Sequence, residues 1–442
     1  MASRPNPATP LKIWILEIGE PLPMETDVRM KRYGQLSQFL ASRGHDVTWW
    51  ASSFSHTPKQ HFSATDQDVD HQGVRLRLIR GPGYRRNVSL ARIWHNQHFA
   101  RRFAERAPTC EEPDLIIAPI PTIEAAAEAV RFANRNDIAI LTDIRDLWPD
   151  EITGRVPGPL RPFARLALSR AYRQMSYVCR NVDGIMGVSN SYIDYGLKFA
   201  GRARGELDFF VPLGYSGRPV EPRKLEEALT WCKDKGVRDD AFVICFFGKI
   251  GHFFDLETVI EAARRLGTDL PKERPVQFVL GGDGSELERF KVLGKGIPSV
   301  LFLGWLDAPK IAAVMQLSKA GLAPYRRDAN MTLPNKPFEY MAGGLPLISS
   351  IQRELPELLE RHRCGLTYRA DSVAGLCAAI RSLYENEPGR AELGARARRL
   401  FEDRFQTETI FADLEEKFQA LVSSKVGRKC PRPPGVPAAT AR

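Results

Sequence analysis

A chain of 442 residues is too long for one ordinary hydrophobic core, so two or three domains are expected. Apolar residues make up 43% and charged residues 26%, the balance of an ordinary globular protein. The formal charge of +10 favours anionic partners: nucleotide phosphates, acidic lipid surfaces or nucleic acid.

The opening run KIWILEI (12–18) reads as a strand, but MASRPNPATPLKIWILEIGE is wrong for a signal peptide, because its apolar run is short and ends in acids. No stretch reaches the about 18 uncharged apolar residues that would suggest a membrane span. A helical stretch follows at 28–43. Arg29 and Arg32 lie three apart on one face of it and are candidate acceptor-binding cations; solvated arginines are the plain alternative. Further strands are expected at 46–52, 74–80, 114–119, 138–144, 184–189 and 209–214, with a helix at 123–136. Several are apolar throughout, as strands covered on both faces must be. TDIRDLWPDE, Thr142 to Glu151, ends a strand with four acids and an arginine. Carboxylates at that end of a strand are placed for acid–base or hydroxyl-orienting work. Asp146 is the expected acceptor contact and a candidate catalytic carboxylate, with Arg145 beside it.

Between Glu151 and Asp183 lie six arginines and no acid, with apolar residues near helical spacing. This predicts a basic amphipathic helix over 155–180 against an anionic membrane face, or a core-packed helix with a basic outer side. The polar stretch 215–240, with two prolines and few strand formers, reads as a linker between domains at 1–214 and 241–405. Alternation then restarts at 241–248, 276–282, 299–304, 319–325, 345–350 and 365–369. Strand–helix alternation in both halves predicts an α/β protein of two doubly wound parallel sheets, with ligands at the carboxyl ends of the strands in a cleft. A closing helix is expected at 406–423, then a disordered basic tail at 424–442. The seven cysteines form no CxxC or Cys/His cluster and read as reduced, mostly buried thiols without zinc.

Three constellations in the second half carry chemistry. FFGKIG (246–251) follows a strand, so its glycine lets backbone amides approach an anion and Lys249 adds charge. LGGDGSELERF (280–290) surrounds Asp283 with glycines at the end of the next strand; a well-made turn explains it as readily. LAPYRRDANMTLPNKPFEYMAGGLPLISS (322–350) is the strongest. Asn335 can cap a short helix that Gly343 and Gly344 end, and Glu339 lies early on it. There a carboxylate can accept hydrogen bonds from two vicinal ribose hydroxyls, while Lys336 and the helix start can meet phosphate.

Taken in order, FFGKIG, VLGGDGSELE, VLFLGW, GLAPY, NKPFEYMAGGLPLISS and the closing helix resemble the nucleotide-sugar domain of the retaining GT-B glycosyltransferases of family 4 type. The resemblance spans nearly all of 241–423. It implies a donor site of Gly248, Lys249, Gly282, Asp283, Gly304, Trp305, Pro324, Tyr325, Asn335, Lys336 and Glu339. In it Lys249 meets phosphate, Gly304 and Trp305 border the base, and Glu339, also a candidate catalytic residue, holds the ribose. Many members carry two glutamates separated by seven residues; here the first position is Met331. A lysine often found after the first glycine loop is also missing, where this chain reads HFFDLET. The pattern NKPFEYMAGG, RGHDVT and DLWP resembles the subgroup that builds bacterial O-antigen, capsule and exopolysaccharide.

The expected function is therefore sugar transfer from a nucleotide diphospho-sugar, UDP-linked by expectation, to a lipid-linked or surface-polysaccharide acceptor, with retention. The expected location is cytoplasmic, at the inner face of the plasma membrane. No DxD pair follows a strand, so neither a metal nor a separate cofactor is expected. A nucleotide-sugar 2-epimerase and a non-catalytic membrane scaffold are the rival readings. Nucleic acid is not an expected partner, because no aromatic-interleaved basic sheet is present.

Overall fold

The computed structural model describes residues 9–25, 30–56, 58–217, 219–329 and 331–429. Arg29, one of the expected acceptor contacts, lies outside them. The chain divides into two compact units: Met1–Val211 with Phe411–Arg442, and Pro212–Ile410.

The first unit carries eight described strands: β1 (Lys12–Leu16), β2 (Asp46–Ser52), β3 (Gln67–His71), β4 (Val74–Ile79), β5 (Leu115–Ile120), β6 (Ala139–Ile144), β7 (Gly184–Gly187) and β8 (Phe209–Phe210). Their order in the sheet is β3-β4-β2-β1-β5-β6-β7-β8. All pairings are parallel except β3 with β4, an antiparallel hairpin at the edge. β5 and β6 are buried along their whole length; β5 has no polar side chain, while β6 carries the buried Thr142 and Asp143 at its carboxyl end. One face is packed by the helices Leu90–Arg106, Ile123–Arg135 and Ser169–Asn181. At its centre Trp14 stacks on Phe132 at 5.5 Å and meets Trp50 edge-on at 5.2 Å. Each such pair adds roughly 0.5–1.5 kcal/mol beyond burial alone.

The end of the chain is part of this unit. The helix Thr407–Lys429 buries Leu414, Phe418 and Leu421. Its Glu415 is buried and accepts from Arg43 at 3.1 Å and from His45 Nε2 at 3.0 Å. The Leu11 amide donates to His45 Nδ1, which leaves the proton on Nε2, aimed at Glu415. Residues 424–429, expected in a disordered tail, continue this helix; the rest of that tail lies outside the described residues.

The second unit is a wholly parallel sheet of six strands: β9 (Phe242–Phe247), β10 (Val276–Gly281), β11 (Val300–Gly304), β12 (Ala320–Ala323), β13 (Leu347–Ser349) and β14 (Gly365–Thr367), ordered β11-β10-β9-β12-β13-β14. The stretch 215–240 is not a linker. It holds the helix Pro222–Asp234, whose Ala228 and Cys232 are buried, and Lys310 of the helix Ala308–Leu317 lies 4.9 Å above its Trp231 ring. Pro222 stands in the first helical turn, where its missing N–H costs nothing.

The predicted single helix over 155–180 is broken. A short 3-10 turn, Gly158–Leu160, leads into the helix Arg161–Ala167, and Leu168 separates this from Ser169–Asn181. The second helix sends Met175 and Val178 into the core; the first leaves Phe163 70% and Leu166 73% exposed.

Arg32 opens the helix Arg32–Ser42 and turns inward. Its Nη1 donates to Asp143 at 2.8 Å and its Nη2 to the Val211 carbonyl at 2.7 Å, with both side chains buried. It is a structural cation and not the presented acceptor contact its spacing suggested. Arg32→Leu strands Asp143 as an unpaired buried charge and should destabilise the fold by roughly 3–5 kcal/mol. Arg161→Leu, at an exposed position, should stay within about 0.5 kcal/mol. Urea titration of both variants checks this.

Candidate functional site

In the second unit the expected donor residues gather at the carboxyl ends of β9, β10 and β11. Three backbone bonds stitch the loops there: Gly248 N to Gly281 O at 3.0 Å, Ile250 N to Asp283 O at 2.8 Å, and Gly282 N to Gly304 O at 2.6 Å. Gly248 and Gly282 both hold φ of +139°. A Cβ on residue 282 would fall on the Gly248 carbonyl, well under 3.0 Å from it. One on residue 248 would strike Lys336 Nζ. Only glycine allows the two backbones, and the ammonium, to come this close.

Lys336 reaches this point from the helix Asn335–Ala342. Its Nζ sits 5.2 Å from the Phe246 ring centroid and 4.6 Å from that of Phe254, and it makes no hydrogen bond to a described residue. Burial pulls its pKa down to about 8, against the upward pull of Glu339. Glu339 is buried one turn along the same helix face. Its charge, after the larger effect of burial, helps hold the Tyr325 phenol above its usual range. Tyr325 is fixed at both backbone ends by Ser350, whose Oγ accepts from Tyr325 N and donates to Tyr325 O, each at 2.7 Å. Pro324 anchors the same turn by accepting from Asp255 N at 2.8 Å.

The remaining expected donor residues stand at the surface. Lys249, Asp283 and Asn335 are exposed, and Trp305 is 69% exposed beyond Gly304. Asp283 Oδ1 accepts from the Gly284 amide at 2.7 Å, which shapes its own turn. Asn335 is not the helix cap: Pro334 takes that position, without a side-chain capping bond, so Asn335 begins the helix with its side chain outward.

In the first unit the strand ends carry a buried ionic network. Arg145, after β6, pairs with Glu20 and lies 3.5 Å from Glu17. It is therefore held by carboxylates, where the sequence suggested an acceptor contact. Burial, and the neighbouring Glu20, push the Glu17 carboxyl up to about 7 despite Arg145. Tyr33 donates to Asp143 at 2.8 Å, joining this group to Arg32. Asp146 is half-buried just beyond, its pKa raised by burial and then by Glu151, with Arg92 and Arg155 opposing. Sequence reasoning missed Glu17, Glu20 and Arg92. The signal for the first two was present, since they follow β1 directly; Arg92 lies within a helix and gave none.

The comparisons with known proteins follow this division. Residues 33–207 match the family described as Glycosyltransferase Family 4, and residues 241–386 match Glycosyl transferases group 1. WcaI of Escherichia coli (strain K12), assigned by name to colanic acid biosynthesis as a glycosyl transferase, is 24% identical over 370 residues, 79% of this chain and 87% of that protein. The chain is a glycosyltransferase. Its fold is GT-B, two parallel-sheet α/β domains. Sucrose-phosphate synthase from Thermosynechococcus elongatus aligns with a TM-score of 0.67 at 16% identity, over 94% of this chain and 100% of that one. HepE of Anabaena, crystallised in complex with UDP-glucose, aligns with a TM-score of 0.62 at 17% identity, over 93% and 100%.

The glycine contact makes a local prediction. Gly282→Ala must both adopt a strained φ and displace the Gly248 carbonyl, and should cost roughly 2–5 kcal/mol. Gly251→Ala, three residues along from Gly248 with open space at its Cβ, should change stability by less than about 0.5 kcal/mol. Urea unfolding of the two variants distinguishes these outcomes.

Proposed function

We propose that this glycosyltransferase moves a sugar from a UDP-linked donor to a glycan carried on a lipid, with retention of anomeric configuration. The observation that carries the donor half is Lys336: an ammonium without a hydrogen bond to a described residue, held against Gly248 at the end of β9. A diphosphate would supply the acceptors it lacks, and the nearby Gly248 and Lys249 backbone would let phosphate approach closely. Glu339, one turn further on, would receive the ribose hydroxyls, and the exposed Trp305 would border the base. That HepE was crystallised with UDP-glucose supports this reading. So does the assignment of WcaI to colanic acid biosynthesis for a polymeric glycan product.

In this reading the leaving diphosphate is stabilised by Lys336, Lys249 and the backbone amides, so that no metal is required. The donor phosphate itself takes the acceptor proton, and Asp146 orients the acceptor hydroxyl. The enzyme works at the inner membrane face, touching it through Arg161–Ala167, where Phe163 and Leu166 are exposed among arginines. No helix among the described residues is long and apolar enough to cross a membrane.

UDP binding followed by calorimetry tests the donor site. Glu339→Ala should weaken UDP at least tenfold; unchanged affinity would sink the ribose role. Product analysis then separates transfer from epimerisation, since an epimerase consumes the donor without an acceptor.

A second test uses pH. Below about 8 Lys336 is protonated and attracts diphosphate; above it the charge is lost. UDP affinity should therefore fall by up to about tenfold per pH unit above 8. The free protein should behave oppositely. Its Lys336 releases a proton that the unfolded chain keeps up to the ordinary lysine value of 10.5, so this group raises stability as pH climbs through that window. Lys336→Gln should remove both slopes, read by calorimetry and by thermal unfolding across pH 7–10.

A further inference from the structure

The first unit holds an apolar cavity of about 250 Å³ beneath the start of the helix Leu90–Arg106. Val88, Leu90, Ile93, Pro121, Trp148 and Ile152 form most of its wall. This is room for a group much larger than a single water, with the polar side chains of Asn87, Ser89, Arg92 and Asn96 completing the apolar wall. It lies at the carboxyl ends of β5 and β6, because Pro121 follows the first and Trp148 the second. Its rim is itself apolar: Leu90 is 84% exposed, with Val88 also exposed beside it. Such side chains cost solvation free energy unless something covers them.

One cation lines this cavity. Arg92 is held by a hydrogen bond from Nη1 to the Asn87 carbonyl at 2.9 Å. Its charge is also felt by Asp146, whose pKa is raised by burial and then by Glu151, with Arg92 among the groups that oppose this. Arg92 thus lines an apolar chamber and is near enough to act electrostatically on the carboxylate expected to face the acceptor. Further arginines lie nearby, since Arg85 and Arg86 are exposed just before the helix and residues 152–182 contain arginines and no acid, while Glu124 and Asp146 are the acids that feel Arg92. The site has the polarity of an amphiphile, hydrocarbon at one end and anion at the other.

We propose that this cavity takes the phosphate-proximal isoprenoid units of a polyprenyl-diphosphate-linked acceptor, with Arg92 on the phosphate and the hydrocarbon leaving past Val88 and Leu90. Placed so, the lipid brings its glycan towards Asp146. The inference rests on the acceptor being lipid-linked, as proposed above, and assigns where that lipid binds.

Calorimetry on the full chain with farnesyl diphosphate, farnesol and inorganic diphosphate tests it, with UDP titrated into every variant. Farnesyl diphosphate should bind at least tenfold tighter than inorganic diphosphate. Ile93→Trp, which fills the cavity, and Leu90→Asp, which charges its rim at an exposed position, should each weaken farnesyl diphosphate at least tenfold. Arg92→Gln should weaken it similarly while leaving farnesol binding in place. UDP affinity should be the same in all, since these residues lie in the first unit. Equal binding of the farnesyl and inorganic diphosphates, or farnesyl diphosphate binding that Leu90→Asp leaves unchanged, overturns the proposal. Occupation by the chain's own tail or by a second copy would appear as the first of these. Failure of UDP to bind the unaltered protein would instead strike the donor reading and leave the farnesyl comparison decisive for this one.

Discussion

The second unit depends on two backbones touching where no side chain can stand. The carbonyl of Gly248 occupies the place a Cβ on residue 282 would need, and Lys336 Nζ occupies the place a Cβ on residue 248 would need. Glycine at both positions costs conformational entropy on folding. The surrounding rings offset it: Phe247 meets Tyr340 at 5.0 Å, Phe246 meets Phe254 at 5.0 Å, and Phe254 meets Tyr325 at 4.7 Å. These aromatic contacts tie the ends of β9 and β12 to the helix that carries Lys336 and Glu339. The ammonium is thereby fixed over Phe246 and Phe254 before any ligand arrives, and a diphosphate would meet a charge already in position.

The first unit organises its strand ends by charge. Arg32 and Tyr33 converge on Asp143, while Arg145 is shared by Glu17 and Glu20. Desolvating so many ions is expensive, and the return is a fixed geometry more than net stability. Burial, and after it the neighbouring Glu20, hold the Glu17 carboxyl up at about 7 although Arg145 pulls the other way. Asp146 then follows Arg145 directly in the chain, so the network that pins the arginine also sets where this carboxylate begins its turn.

Much of this was legible in the sequence, for identifiable reasons. Parallel strands covered on both faces must be largely apolar, and β5 and β9 announce themselves as unbroken apolar runs, with β6 and β10 nearly so. β3 does not: QDVDH is polar because it is an edge strand with exposed positions. The glycine loops after β9 and β10 could be found because a glycine just past a buried strand has few other uses. Arg32 misled because its partner Asp143 is 111 residues away, and spacing along a helix says nothing about such a partner. The helix Pro222–Asp234 hid in a polar stretch because only Ala228 and Cys232 of it are fully buried. The arginines of 155–180 suggested one amphipathic helix; periodicity could not register that Leu168 ends one helix and begins another.

That break has a consequence for how the two units meet solvent. With Met175 and Val178 committed to the core, the preceding helix is left to display Phe163 and Leu166 beside Arg161 and Arg165. The segment before the helix Leu90–Arg106 does the same with Val88 beside Arg85 and Arg86. Apolar and cationic groups at one surface suit an anionic amphiphile, because neither half of such a partner is then left unmatched. The strand ends of the second unit differ. There a single indole, Trp305, is exposed near the glycine loops, and the ammonium of Lys336 is withdrawn over aromatic rings. A flat ring at the surface and a charge at depth suit a compact, water-soluble nucleotide. The proposed reaction joins one partner of each kind, and the asymmetry between the units is the feature of the whole molecule that a symmetric pair of soluble substrates would leave without a reason.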